Sequence, residues 1–121
     1  MSKAKKMKVM SLTDRVRFKE IRNELEAFYK EIGCDLIDVV SRQINGEWYD
    51  IICDDEGLLR PNFISAVNKE GKPELVGGLI ICKYGGKGDF TGLEPDDILR
   101  LTNAVQYSVQ NGKLQPVIVL E

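Results

Sequence analysis

GCDLIDVVSRQINGEWYDIICDDEGLL, residues 33–59, decides the fold. Two runs rich in β-forming residues flank Asn45-Gly46. Both central positions of a two-residue type I′ turn need positive φ, and Asn and Gly adopt it most readily, so this dipeptide marks a hairpin. The resulting register sets Ile44 opposite Glu47, Arg42 opposite Tyr49, Val40 opposite Ile51 and Asp38 opposite Cys53. The other face carries Ile37, Val39, Trp48 and Ile52. Both faces are partly apolar, so the ribbon is expected at the centre of the fold with chain covering each side.

Upstream, Lys3, Lys5, Lys6 and Lys8 surround a short strand expected over 7–12, and read as a solvated terminus. Residues 13–32 carry two periodicities. Phe18, Ile21, Leu25, Phe28 and Ile32 recur at helical spacing, whereas RVRFK alternates as a strand does. Asn23 with Glu26 resembles a capping box and Gly33 is a natural stop, so the expectation is a strand over 15–21 and a helix over 24–32.

Downstream, Pro61 makes 57–62 a loop, and NKEGKPEL reads as an exposed turn at Gly71 and Pro73. VGGLIICKY suits a strand buried on both faces, with Gly77-Gly78 marking a bulge or a close backbone approach. Residues 85–92, GGKGDFTG, form a loop before LEPDD, where Pro95 and the acids open a helix. Ile98, Leu101, Val105 and Val109 supply its apolar stripe and Asn111-Gly112 its end, giving a helix over 95–110. Leu114–Leu120 is a last strand that Pro116 would confine to an edge. The expected whole is one α+β domain over 1–121, with a basic flexible stretch at 1–6. It has a mostly antiparallel sheet of five or six strands and two helices.

Composition narrows the function. At 121 residues, 43% hydrophobic and 30% charged, the chain is an ordinary globular domain. No apolar run reaches the roughly 18 residues of a membrane span, and the N-terminus lacks a secretory core. Cys34, Cys53 and Cys82 lie far apart in apolar settings, as reduced cytosolic thiols do. Residues 1–30 hold nine Lys/Arg against four Asp/Glu, residues 31–121 eight against fifteen, and the whole carries −2. An acidic body disfavours nonspecific nucleic-acid binding and suits a basic partner surface. The chain contains no histidine, which removes the usual general base, the commonest metal ligand and every Ser-His or Cys-His pair. It also lacks a CxxC zinc pattern. The expectation is a non-enzyme with neither cofactor nor metal.

Four features remain. Asp50, Asp54, Asp55 and Glu56 cluster after the hairpin and offer negative charge to a basic groove, though without the alternate-residue ligands of a calcium loop. Gly85, Gly86, Lys87 and Gly88 sit between strand and helix, where phosphate loops occur, but neither the P-loop nor the dinucleotide spacing is met. Glu94, Asp96 and Asp97 also crowd the helix start that an anion would need. Trp48 and Tyr49 point to opposite faces: Trp48 is expected in the core, Tyr49 exposed beside Arg42 as an interface anchor. Arg60-Pro61-Asn62 is only a turn.

These pieces have a familiar order: EI-x-N-x-LEAF-x-x-x-IG from Glu20 to Gly33, then ICDDEGLL, the Pro61-Asn62 turn, the Gly-Gly strand and LEPDDILRL. Over about residues 7–105 the chain resembles the domain-of-unknown-function 3846 family, small accessory proteins of bacteriophages, prophages and plasmids. The resemblance implies a bacterial cytoplasm and binding that blocks host machinery, restriction and CRISPR nucleases included. The leading expectation is therefore an inhibitor acting on a host defence nuclease through the acidic surface Asp50, Asp54, Asp55 and Glu56, with Tyr49 and Arg42. One alternative is a nucleotide or small-ligand binder using the 83–92 loop. Another is a homo-oligomeric module pairing through Leu114–Leu120.

Overall fold

The computed structural model describes residues 5–59, 61–85 and 89–121. In chain order the elements are β1 (Lys6–Leu12), β2 (Val16–Arg22), α1 (Leu25–Ile32), β3 (Ile37–Ile44) and β4 (Glu47–Asp54). A short 3-10 turn (Gly57–Leu59) leads to β5 (Ile64–Asn68), β6 (Pro73–Val76), β7 (Leu79–Lys83), α2 (Pro95–Thr102), β8 (Val105–Gln110) and β9 (Lys113–Leu120). Asn45 and Gly46 take φ of 49° and 88°, and β3 and β4 pair in the register that this turn dictates.

The class is α+β, but the strands form two sheets instead of one. Among the described residues they run β2-β1-β7-β4-β3 and β6-β5-β9-β8. Every pairing is antiparallel except β5 with β9. Strand alternation then sorts the apolar side chains into two cores. Met10, Leu12, Tyr49, Ile51, Leu79 and Ile81 leave the first sheet on one side and meet Ala66, Ile118 and Leu120 of the second, with Leu101 of α2. On the other side Val9, Ile52, Ile80 and Cys82 pack with Phe28 of α1. Lys19 Nζ (2.8 Å), Arg17 Nη2 (3.1 Å) and Ser11 Oγ all donate to the Glu31 carboxylate, pinning α1 to that face.

Five expectations need correction. The helix expected over 95–110 stops at Thr102, and 105–110 is β8. VQYSVQ alternates β-formers with polar residues, and Asn111-Gly112 (φ 52° and 76°) is a second hairpin turn rather than a helix stop. β9 is an interior strand, with β8 on one side and β5 on the other. Pro116 is tolerated there because pairing with β5 begins only at Ile118. The exposed turn expected in NKEGKPEL is present at Gly71 (φ 82°), but Pro73 lies beyond it and opens β6, an edge strand paired with β5, where its missing N–H costs little. Asn23 does not cap α1: the N-cap is Glu24, and the Asn23 amide donates to the Phe90 carbonyl at 3.3 Å. Gly77 (φ 78°) forms the turn between β6 and β7 instead of a bulge. Gly78 makes the expected close approach, since a Cβ there would lie 3.4 Å from the Ile32 backbone.

Candidate functional site

The acids that stand together after the hairpin in sequence separate in space. Asp50 points to the α1 side and is buried; it accepts from Ser41 Oγ at 2.7 Å and from the Gly85 N–H at 3.2 Å. It is therefore an internal brace, not a displayed charge. Asp54 and Asp55 lie where β4 ends. The Asp54 carboxylate accepts the Glu56 N–H (2.9 Å), and the Asp55 N–H donates to the Leu36 carbonyl (3.0 Å), which fixes the turn.

That turn overlooks a groove of about 310 Å³ between the end of the β3–β4 hairpin and β6. Its rim carries Asp38, Asp54, Asp55 and Glu74, and its apolar lining includes Val40, Cys53, Leu75 and Val76. Leu58, beside it on the 3-10 turn, is 86% exposed, and Leu59 is also exposed. Arg42 Nη1 meets Glu74 at 2.7 Å, so β3 and β6 are tied together across the gap between the sheets. Arg42 also donates to the Glu121 carbonyl (3.3 Å). It thus works as a strut, not as a free anchor.

The two aromatics exchange the places expected of them. Tyr49 shares a face with Ile51 and Cys53, is buried, and donates its hydroxyl to Asp97 Oδ1 at 2.8 Å. Trp48, on the opposite face, is 50% exposed and leans on Tyr84 with ring centroids 6.2 Å apart.

Asp97 organises a dense polar cluster. Its carboxylate accepts from Tyr49, from Arg100 Nη1 (3.1 Å) and from the Glu94 N–H (2.9 Å), with Lys83 Nζ at 3.7 Å. Arg100 Nη1 also donates to the Tyr49 hydroxyl at 2.9 Å. Burial raises the Asp97 carboxyl, but the Glu94 N–H, the Tyr49 hydroxyl and the two cations outweigh it, and the net is below the ordinary carboxylate value. Tyr49 is pushed up to about 12, first by burial and then by the Asp97 carboxylate. Such a phenol stays protonated and donates. The cluster therefore fastens α2 to the first sheet.

Burial likewise pushes Cys53 up to about 11 and Cys82 to about 12, so both thiols stay protonated at neutral pH. Among the described residues no set of three or more acids and cysteines is arranged to hold a metal. Of the glycine loop, Gly85 is tied to Asp50, while Gly86, Lys87 and Gly88 lie outside the described residues. Among the described residues no helix is long and apolar enough to cross a membrane.

Sequence reasoning located Asp54 and Asp55 but missed Asp38 and Glu74. Asp38 was legible as the residue opposite Cys53. Glu74 had no local signal, because it arrives on a strand from the second sheet. The Asp97–Arg100 pair was visible as i,i+3 neighbours on a helix.

Together these features define a small α+β protein of two sheets with a groove that is acidic at the rim and apolar within. The chain belongs to the family described as Domain of unknown function (DUF3846), which it matches over residues 7–106. Neither a curated protein nor a solved structure matches it.

Proposed function

We propose that this chain is a non-enzymatic accessory protein of a phage or other mobile element that binds a host protein through the β3–β6 groove and inhibits it. The target class is a defence nuclease, whose nucleic-acid-binding surface is basic. The observation that carries the reading is the groove: four carboxylates around an apolar lining, with Leu58 standing exposed beside it. Acidic rims steer basic partners and set salt sensitivity, while apolar contacts hold them. Burial keeps the Cys53 and Cys82 thiols and the Tyr49 phenol protonated, which supports a displayed surface over covalent chemistry at these three groups.

The test is affinity capture from a bacterial lysate with the native chain and with Asp38→Asn/Asp54→Asn/Asp55→Asn. Asparagine keeps the carbonyl acceptor that serves the Val39 and Glu56 N–H groups, so the fold is retained while the rim loses three charges. The expected result is a nucleic-acid-binding protein, identified by mass spectrometry and inhibited by the native chain, that the variant loses. Equal capture and equal inhibition by the folded variant would refute the groove.

A further inference from the structure

Among the described residues four strands end the two sheets: β2 and β3 in the first, β6 and β8 in the second. An edge strand presents unpaired N–H and C=O groups, and proteins guard it with charge, proline or local capping. β2 reads VRFKEIR, with Arg17, Lys19, Glu20 and Arg22. β3 carries Asp38 and Arg42; its Val39 N–H is taken by Asp38 (2.9 Å) and its Gln43 carbonyl by the Glu121 N–H (2.9 Å). β6 is four residues long, opens with Pro73 and bears Glu74. β8 reads VQYSVQ and has none of these guards.

Its free groups follow from register. In a two-residue hairpin the pair next to the turn is hydrogen-bonded, and bonded and non-bonded pairs then alternate. From Gln110↔Lys113, the bonded pairs are Ser108↔Gln115 and Gln106↔Val117, so the backbone groups of Val105, Tyr107 and Val109 point away from β9. Pro116, opposite Tyr107, fits because that position owes β8 no N–H. Among the described residues no strand flanks β8 on that side. Val105 is half-buried against the core, while beyond it the apolar side chains are uncovered: Tyr107 is 64%, Val109 71% and Leu114, opposite Val109, 68% exposed.

We propose that β8 pairs antiparallel with β8 of a second copy, about a two-fold axis at Tyr107, joining two four-stranded sheets into one. Val105 then faces Val109 of the other copy, and Tyr107 faces its own equivalent. The uncharged strip argues for this occupant. On a chain of net charge −2 it selects no oppositely charged partner, and a second copy brings no like charges to it. The alternating N–H and C=O groups of one edge are its own antiparallel complement, as an isologous contact requires. β6 lies at the opposite edge of the sheet, so the groove stays open in both copies.

Sedimentation equilibrium of the full chain tests this. The mass is expected to rise with concentration from 13.7 kDa towards twice that value. Tyr107→Lys and Tyr107→Glu set like charges across the axis and should each weaken association about a hundredfold or more, with an unchanged circular-dichroism spectrum. Mixing the two in equal amounts sets Lys against Glu and should restore the dimer. Val109→Lys probes the same contact should the Tyr107 variants unfold. A mass of 13.7 kDa up to the solubility limit, a dimer indifferent to these lysines, or a mixture that stays monomeric would each overturn the proposal.

Discussion

The molecule uses one turn twice, to opposite ends. Asn45-Gly46 and Asn111-Gly112 have nearly the same backbone, with φ of 49° and 88° against 52° and 76°. Yet β4, which follows the first, buries every side chain from Tyr49 to Cys53, whereas β8, which precedes the second, leaves Gln106 to Val109 exposed. The turn is local chemistry; burial is decided by neighbours. β4 has β3 and β7 on its edges and a core on each face, while β8 has only β9. The first hairpin becomes the frame that holds the groove, and the second becomes an edge.

The contrast breaks first at the two strand positions. Ile51→Ala empties a fully buried site and should cost about 3 kcal/mol in chemical denaturation. Val109→Ala, on an exposed side chain, should stay within about 0.5 kcal/mol for the monomer. Similar costs would mean that the second hairpin is as buried as the first.

Next comes the charged fastening of the first hairpin to α2. Asp97→Asn weakens its ties to Tyr49, Arg100 and Lys83 and should cost about 2 kcal/mol. Asp97 and Glu31 both sit below their ordinary values of 3.8 and 4.5; burial raises each, but donors and cations outweigh it. A carboxylate lowered by folding contributes fully above its unfolded pKa and loses that contribution as pH falls through the folded value. Stability should therefore fall as the solution is acidified below about 4, and Asp97→Asn should flatten that fall. An unchanged acid limb would place the stabilisation elsewhere.

A loss smaller than those of Ile51→Ala and Asp97→Asn should be shared by both hairpins. Gly46→Ala and Gly112→Ala force an alanine to positive φ, and a Cβ at either site meets nothing within 4 Å. Each should cost about 1 kcal/mol. Unequal costs would show that the turns are not locally equivalent.

The same contrast explains what sequence could disclose. Asn45-Gly46 was readable down to register because a two-residue turn dictates every pair that follows it. Asn111-Gly112 offered the same cue, but Ile98, Leu101, Val105 and Val109 also fall at helical spacing and overrode it. Only pairing with β9, itself braced by β5, decides for the strand. Trp48 and Tyr49 were correctly placed on opposite faces. Which face would be covered depended on where α1 and α2 come to rest, and no local pattern carries that. The groove was half legible for the same reason: Asp54 and Asp55 are neighbours in sequence, whereas Asp38 and Glu74 join them only through the docking of two sheets.

The sharpest test of a groove that works by charge around an apolar lining is the salt dependence of the dissociation constant for the captured partner. It should be measured with the native chain and with Asp38→Asn/Asp54→Asn/Asp55→Asn. The native complex should weaken steeply as salt rises, and the variant should bind more weakly with a distinctly shallower slope. Equal affinities and parallel slopes would contradict it.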